Sequence, residues 1–391
     1  MIIGDSMKKL IRDMDKGILI ISIILFVFGL LNIVNASSQA VVVRFNKSLY
    51  EYFNKQLISI ILGVFITLFI LRIPTKKYSK ISVLSYLTIL GLLVYLYLFG
   101  TTHQGSKNWI KVGPMSIQPS EFAKPVLVMV TAILFDKFYK KLNNKNVESK
   151  LIFSLLGIIL IPATLYIGIV LLQKDLGTAI IITAIFGIMY LLGPIRKKEK
   201  YQSIIFAIIV VLVAMVGLLS TKGTLLSDAQ KSRLTFTNPC SRYEEGGYQI
   251  CNGFIAINSG GILGLGIGNS KQVSYLPESH TDSVFAIVAE EYGLIVCTII
   301  FILYIVLLYR IFKLAGRANT IRGRYICYGV GSYIGIHIIV NLGGLFAMMP
   351  LTGVPLPFLS YGGSFTLALM ISIAMVQRVS IEVKNKKIIV K

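Results

Sequence analysis

The stretch Leu276-Pro277-Glu278-Ser279-His280-Thr281-Asp282 closes a long polar loop and runs straight into Ser283-Val284-Phe285-Ala286-Ile287-Val288, the start of an apolar run reaching about residue 311. That run exceeds the ~20 residues a helix needs to cross a bilayer. Asp282 therefore stands at the mouth of a membrane helix. A carboxylate there complements the macrodipole and the free N–H groups of the first turn, and Thr281 or Ser279 is expected to cap that turn. Position alone leaves Asp282 divided between starting a helix and carrying chemistry, so the side of the membrane it faces matters.

Outward from this stretch the same apolar signature recurs. Ten spans are expected, at about 17–36, 55–73, 81–100, 121–138, 151–172, 177–194, 201–220, 283–311, 326–348 and 362–381. The chain has 391 residues, 55% of them hydrophobic and 14% charged, with a mean hydropathy of +0.76. These values describe an all-α polytopic membrane protein. The first run is too long for a signal-peptide core and lacks a cleavage pattern, so it is read as a retained span.

A net charge of +22 would suit a nucleic-acid binder, but its distribution argues otherwise. Lys8, Lys9, Arg12 and Lys16 precede the first span. Further clusters surround Lys76, Lys140, Lys197, Arg317 and Lys386, always between alternate spans, and together they hold most of the 39 basic residues. With ten spans all of them fall on one side. By the positive-inside rule that side is the cytoplasm, with both termini and the basic tails 1–16 and 382–391. The one large loop, about 221–282 between the seventh and eighth spans, then faces outward and carries Asp282 with it. No nucleic-acid partner is expected.

The outward segments hold the remaining polar signals. The only Trp of the chain, Trp109, is either an interfacial anchor or part of a site. Glu121 and Lys124 lie three apart at a helix start, so they share one face. Ionisable residues at membrane depth cost ~2.5 kcal/mol or more, so the two either line a polar pocket or neutralise each other. Asp175, in the tight turn Gln173 to Thr178, is a cap for the next helix or a cavity residue. The large loop contains Arg233, Arg242 and the run Gly260-Gly261-Ile262-Leu263-Gly264-Leu265-Gly266-Ile267-Gly268. That run is no phosphate-binding P-loop, because no Gly-Lys-Ser/Thr follows; it suits an irregular or re-entrant backbone packed on helices. Of Glu290 and Glu291, one is expected to face the bundle interior. His337 and Asn341, four apart, put polar groups on one helix face, either as inter-helix hydrogen bonds or as function. Cys297 and Cys327 read as small apolar packers. Cys240 and Cys251 share the outward loop, where an oxidising compartment permits a disulfide. No zinc-ligand spacing is present.

Such a surface offers a carboxylate to accept a proton from an attacking hydroxyl and cations to hold an anionic leaving group. With no nucleotide-binding module, a transferase working there needs a donor already activated on a lipid. A transporter fits the residues nearly as well.

Four segments carry a resemblance: GSKNWIKVGPMSIQPSEFAK (105–124), QKDLGT (173–178), the region 247–293 with GYQ, AINSGGILGLGIGNSKQ and YLPESHTDSVFAIVAEEYG, and PLTGVPLPFLSYGGS (350–364). Together they closely resemble the SEDS family, the FtsW/RodA/SpoVE proteins, along nearly the whole chain, which is then one SEDS transmembrane domain over 1–391. GIGNSKQ followed by YLPESHTD is more similar to the FtsW/SpoVE branch of division and sporulation. The resemblance implies a peptidoglycan glycosyltransferase that polymerises lipid II on the outer face of the cytoplasmic membrane, with a class B penicillin-binding protein and other division proteins as partners. It implies Asp282 as the essential carboxylate, here the general base, and Trp109 and Lys124 as substrate-binding. Glu121, Arg233, Arg242, Asp175 and His280 join them as further substrate-binding candidates. No cofactor is assigned, and a divalent cation stays open. A lipid II flippase or a non-catalytic division scaffold is the alternative. The chain departs from the family pattern at Asn108, Lys174, Ser283 and Phe365, which bear on the shape of the cavity and on how a diphosphate is gripped.

Overall fold

The structure, a computed structural model, describes residues 7–39, 48–100, 107–112, 115–206 and 237–389. In chain order the main elements are α1 (Met7–Asp13), α2 (Lys16–Gln39), α3 (Glu51–Arg72), α4 (Tyr78–Phe99), β1 (Ile110–Val112), β2 (Met115–Ile117), α5 (Pro119–Leu142), α6 (Ser149–Leu172) and α7 (Leu176–Leu192). They continue with α8 (Tyr248–Gly260), α9 (Val284–Arg317), α10 (Ile321–Leu345) and α11 (Gly363–Ile389).

Among the described residues seven helices are long and apolar enough to cross a membrane: α2, α3, α4, α6, α9, α10 and α11. Two further expected spans fall short for identifiable reasons. α5 carries Glu121 and Lys124 in its first turns and Asp136, Lys137, Lys140 and Lys141 toward its end, which dilute its apolar run, while α7 has only 17 residues. The expected span at 201–220 is helical over residues 197–206, and its remainder lies outside the described residues. The all-α expectation needs one correction. Ile110, Val112, Met115 and Ile117 alternate with other residues and pair as a short antiparallel hairpin, with Ile110 opposite Ile117.

The bundle has a centre and a rim. In their most apolar stretches α10 and α11 are 78% and 83% buried, against 17% for α4 and 22% for α3. The two central helices are also less apolar, because a protein-facing surface can hold the small and polar residues that lipid would exclude. Gly329 on α10 lets α5 approach so closely that a Cβ there would lie 2.5 Å from Val128 Cγ1. α11 lies along α3, and α10 lies against α5, α7 and α9. At the basic end of the bundle, Arg322 donates to the carbonyls of Thr75 and Lys76 and to Asp136, while Glu382 accepts from Thr75 and Arg378. These contacts tie α5, α10 and α11 to the turn between α3 and α4.

The glycine-rich run packs against a break in α9. Gly293 interrupts that helix at φ +74°, and Gly264 faces it at φ +83°; a Cβ on either would meet the other's backbone at 2.4–2.7 Å. Only glycine tolerates both the left-handed backbone and the approach. The break frees helix carbonyls, so Leu265 and Gly266 donate to the Glu290 and Glu291 carbonyls, and Leu294 donates back to Gly261. The expectation that one of the two glutamates faces inward is corrected, since both are buried at 0% and 2% exposure. Glu290 accepts from Ser270 Oγ at 2.5 Å and from the Lys271 and Gln272 amides at 3.2 Å. Glu291 accepts from the Gly268 amide at 3.1 Å and from Asn35 Nδ2 at 3.3 Å. A loop whose amides point one way needs acceptors, and two adjacent carboxylates supply them.

Candidate functional site

Asp282 is 6% exposed at the entry to α9. The capping expected of Thr281 or Ser279 does not occur. The N-cap position is Ser283, with no side-chain cap bond, because the neighbouring hydroxyls are used elsewhere. Thr281 Oγ1 donates to Glu278 Oε2 at 2.7 Å, and Ser279 Oγ donates to the Ala36 carbonyl at 2.6 Å. The chain closes as a tight turn in which the Thr281 and Ser283 amides both donate to the Glu278 carbonyl. Asp282 Oδ1 accepts from Gln249 Nε2 at 3.0 Å, and the same nitrogen donates to Ser283 Oγ at 2.9 Å. The Asp282 carbonyl accepts from Asn341 Nδ2 at 2.7 Å.

The loop before α11 clamps this turn from the other side. Asn341 Nδ2 also donates to the Val354 carbonyl at 2.8 Å, so one amide bridges the loop and the Asp282 backbone. The Tyr361 amide donates to the His280 carbonyl at 2.9 Å, Ser360 Oγ donates to the Thr281 carbonyl, and the Leu356 amide donates to Ser360 Oγ. The His280 ring stacks on Tyr52 with centroids 4.6 Å apart and lies 5.8 Å from the Tyr361 ring. Gly353, at φ +70°, comes so near that a Cβ there would sit 3.7 Å from Asp282 Oδ2. A Cβ there would be in ordinary van der Waals contact with the carboxylate.

Asp175 caps α7, accepting from the Thr178 amide at 3.1 Å through Oδ1. Its Oδ2 accepts from Asn108 Nδ2 at 2.8 Å and Gln118 Nε2 at 3.1 Å, the two residues that flank the hairpin. The Gln118 backbone amide in turn donates to Ser364 Oγ at 3.0 Å, which ties the hairpin to the start of α11. Gly177 presses on the loop before α11, where a Cβ on it would fall 2.8 Å from the Thr352 carbonyl oxygen. Contacts thus link Asp175, the hairpin and the loop before α11 to Asp282, and Trp109, next to the hairpin, is 37% exposed.

Of the two readings open for Lys124 and Glu121, lining a polar pocket or neutralising each other, the structure shows the second. At 1% and 4% exposure they form an enclosed pair, with Lys124 Nζ 2.7 and 2.8 Å from the two Glu121 oxygens. The third donor of the ammonium meets His337 Nε2 at 3.2 Å. His337 Nδ1 lies 3.2 Å from the Pro355 carbonyl, which can only accept, so Nδ1 carries the proton and Nε2 receives Lys124. Tyr333 and Phe365 present their rings to Nζ at 5.9 and 6.0 Å. Burial explains the arrangement, because an ammonium at this depth must use every donor. One turn of α10 separates His337 from Asn341, so the pair sits beneath the residue that holds the Asp282 backbone.

Of the other expected residues, Arg242 donates to the Thr237 carbonyl, and Arg233 lies outside the described residues. Cys240 and Cys251 are joined by a disulfide, and Cys297 and Cys327 are buried thiols. Among the described residues no group of three or more His, Cys, Asp or Glu side chains is placed to hold a metal ion. The sequence reading passed over Gln249, although it stands in the GYQ segment. Its role depends on a contact 33 residues away, and no local pattern marks such a contact.

Comparison with known proteins covers nearly the whole chain. The model of the FtsW/RodA/SpoVE family, cell cycle proteins, matches residues 16–385. The probable peptidoglycan glycosyltransferase FtsW of Bacillus subtilis (strain 168) is 32% identical over 97% of this chain and 94% of its own length. The stage V sporulation protein E of the same organism is 32% identical over 94% and 96%. Among solved structures, one from a study of how a peptidoglycan synthase complex coordinates polymerization and crosslinking superposes with a TM-score of 0.73 at 22% identity, covering 95% of this chain and 98% of that one. The rod shape determining protein RodA of Thermus thermophilus gives 0.64 at 22% identity over 94% and 96%.

Proposed function

The chain belongs to the FtsW/RodA/SpoVE family of cell cycle proteins, and from that premise we propose that it is a peptidoglycan glycosyltransferase of the cytoplasmic membrane, which it crosses many times. Its substrate is lipid II, a disaccharide-peptide carried on a lipid diphosphate. The observation that carries the reading is the Asp282 carboxylate, held by Gln249 and seated on a backbone clamped from both sides.

Asp282 acts as the general base. It takes the proton from the 4-hydroxyl of the acceptor sugar as that oxygen bonds to the anomeric carbon of the donor. The donor's bond to the diphosphate oxygen breaks, and the lipid diphosphate leaves with the electron pair. Trp109, half-exposed on the adjoining hairpin, offers an apolar face to a sugar ring. Arg233, Arg242 and Lys174 are the cations assigned to the diphosphate. His280, Asp175 and the Lys124–Glu121 pair support the floor of the site by fixing the turn, the hairpin and α10.

Ten crossings fit this placement. α5, whose Glu121 and Lys124 pair inside the bundle, α7, ~26 Å long at 1.5 Å per residue, and the span expected at 201–220 join the seven apolar helices. The basic clusters then lie in the cytoplasm, and Asp282 faces outward, where the lipid-borne donor is needed. A class B penicillin-binding protein is the partner; the similarity to a structure from a peptidoglycan synthase complex supports that pairing. The test is polymerisation of purified lipid II by the reconstituted protein with that partner. Wild type makes glycan chains and Asp282→Asn makes none while remaining monodisperse in detergent. Transport of lipid II across vesicles with no chain product, or an active Asp282→Asn protein, defeats the proposal.

A further inference from the structure

We infer that Gln249 is a positioning residue for the Asp282 carboxylate, and that the Cys240–Cys251 disulfide keeps Gln249 in place. The inference rests on Asp282 being the base. Gln249 Nε2 lies 3.0 Å from Asp282 Oδ1 and 2.9 Å from Ser283 Oγ. Its two N–H bonds reach both residues at once. An aspartate side chain has three staggered settings about its first torsion, and this amide selects one of them, leaving Oδ2 on the edge beside Gly353.

Gln249 is the second residue of α8, so its position depends on how that helix begins. The N-cap, Gly247, provides no side-chain cap bond. The π-helical turn Tyr243–Gly247 leads directly into α8, and the disulfide ties the two ends of this stretch together. Cys251, in the same first turn, is bonded across 11 residues to Cys240, whose Cα lies 4.9 Å away on the short helical turn Pro239–Arg242. That turn is pressed on the helix start so tightly that a Cβ on Gly247 would fall 1.9 Å from the Pro239 carbonyl oxygen. The Tyr243 and Tyr248 rings meet edge to face at 4.8 Å, and Asn252 Nδ2 reaches Tyr243 OH at 3.3 Å. With the cross-link cut, the turn loses its covalent tie to α8, and the first turn of α8 gains the freedom that the closed loop denies it. Cys240 is exposed and Cys251 is 4% exposed, so a thiol reagent can reach the bond from outside.

The test measures initial rates of lipid II polymerisation against substrate concentration for wild type, Gln249→Met, Cys240→Ser with Cys251→Ser, and the three substitutions combined. Methionine keeps the length of glutamine and removes its donors. A misaimed base slows the chemical step, so kcat falls about tenfold in each variant, with KM within about twofold. The combined protein is no slower than Gln249→Met alone, because both changes act through one contact. Where the serine variants fail to fold, wild-type protein treated with dithiothreitol replaces them. That reagent is oxidised to its cyclic disulfide as the two cysteines become thiols, which alkylation then counts. Losses that multiply in the combined protein, a change in KM alone, or full activity with both thiols alkylated overturn the inference. An inactive Asp282→Asn beside a fully active Gln249→Met defeats this inference and leaves the proposed base intact, whereas an active Asp282→Asn defeats the base itself.

Discussion

Breaking the buried Lys124–Glu121 pair from one side should cost far more than removing it whole. At 2.7–2.8 Å two unit charges attract by about 6 kcal/mol at an effective dielectric of about 20. Most of that attraction offsets the cost of taking both groups out of water. Glu121→Met leaves an ammonium at 1% exposure with only His337 Nε2 and two ring faces, and losses of this kind run to about 3–5 kcal/mol. Lys124→Met strands the carboxylate to a similar degree. The double substitution strands no charge; it deprives only His337 Nε2 of its donor, at about 1–3 kcal/mol. At roughly 2 °C per kcal/mol, each single variant melts about 6–10 °C below wild type and the double variant by less than either. Heating the detergent-solubilised protein and recording the surviving monodisperse fraction by fluorescence-detected gel filtration gives the three values. If the double variant loses as much as the two singles added together, the residues are not acting as a pair and the reading of the bundle centre fails.

Three further outcomes follow from the geometry. Asp175→Ala removes the α7 cap, at about 0.5–2 kcal/mol, and strands the Asn108 and Gln118 amides; Asp175→Asn should recover the cap in the same melting assay. Gly293→Ala forces a Cβ to 2.4 Å from the Gly264 amide and the Ile262 carbonyl at φ +74°, costing more than about 2 kcal/mol, and should strip hydrogen-exchange protection from residues 261–272 before it unfolds the bundle. Asp15 responds to acid. Partial burial pushes its carboxyl up, but the hydrogen bond and charge of Arg310 and the Ile18 and Gly17 amides together hold it below the ordinary aspartate value. A lowered value means stability that is present above pH ~4 and is lost as the pH falls through the folded-state value. Asp15→Asn should therefore melt lower than wild type at neutral pH and lose less stability between neutral and acid pH.

The resemblance to the family and the membrane-spanning helices were legible because both are written in local sequence. A run of apolar residues near spanning length needs no knowledge of its neighbours, since the bilayer is the same solvent for every helix. Asp175 as a cap was legible for the same reason, because its partner is three residues away. Apolar periodicity stopped short at α5, where Glu121 and Lys124 read equally as a pocket or as a pair and only the structure shows the enclosed pair. It also failed at Glu290 and Glu291, since no helix pattern foretells that a glycine loop will present its amides to both. The GYQ segment named Gln249 without saying what it touches.

What the sequence by itself determined is that this chain lies in a membrane and that Asp282 stands where a span begins. Only the tertiary structure decided how that aspartate is held. Its cap is absent, its carboxylate is aimed from α8, and its backbone is fixed by α10 and the loop before α11. Each of those partners lies more than 30 residues away along the chain. Hydrogen bonds of that reach are set by how the helices pack, and a linear pattern carries no record of it.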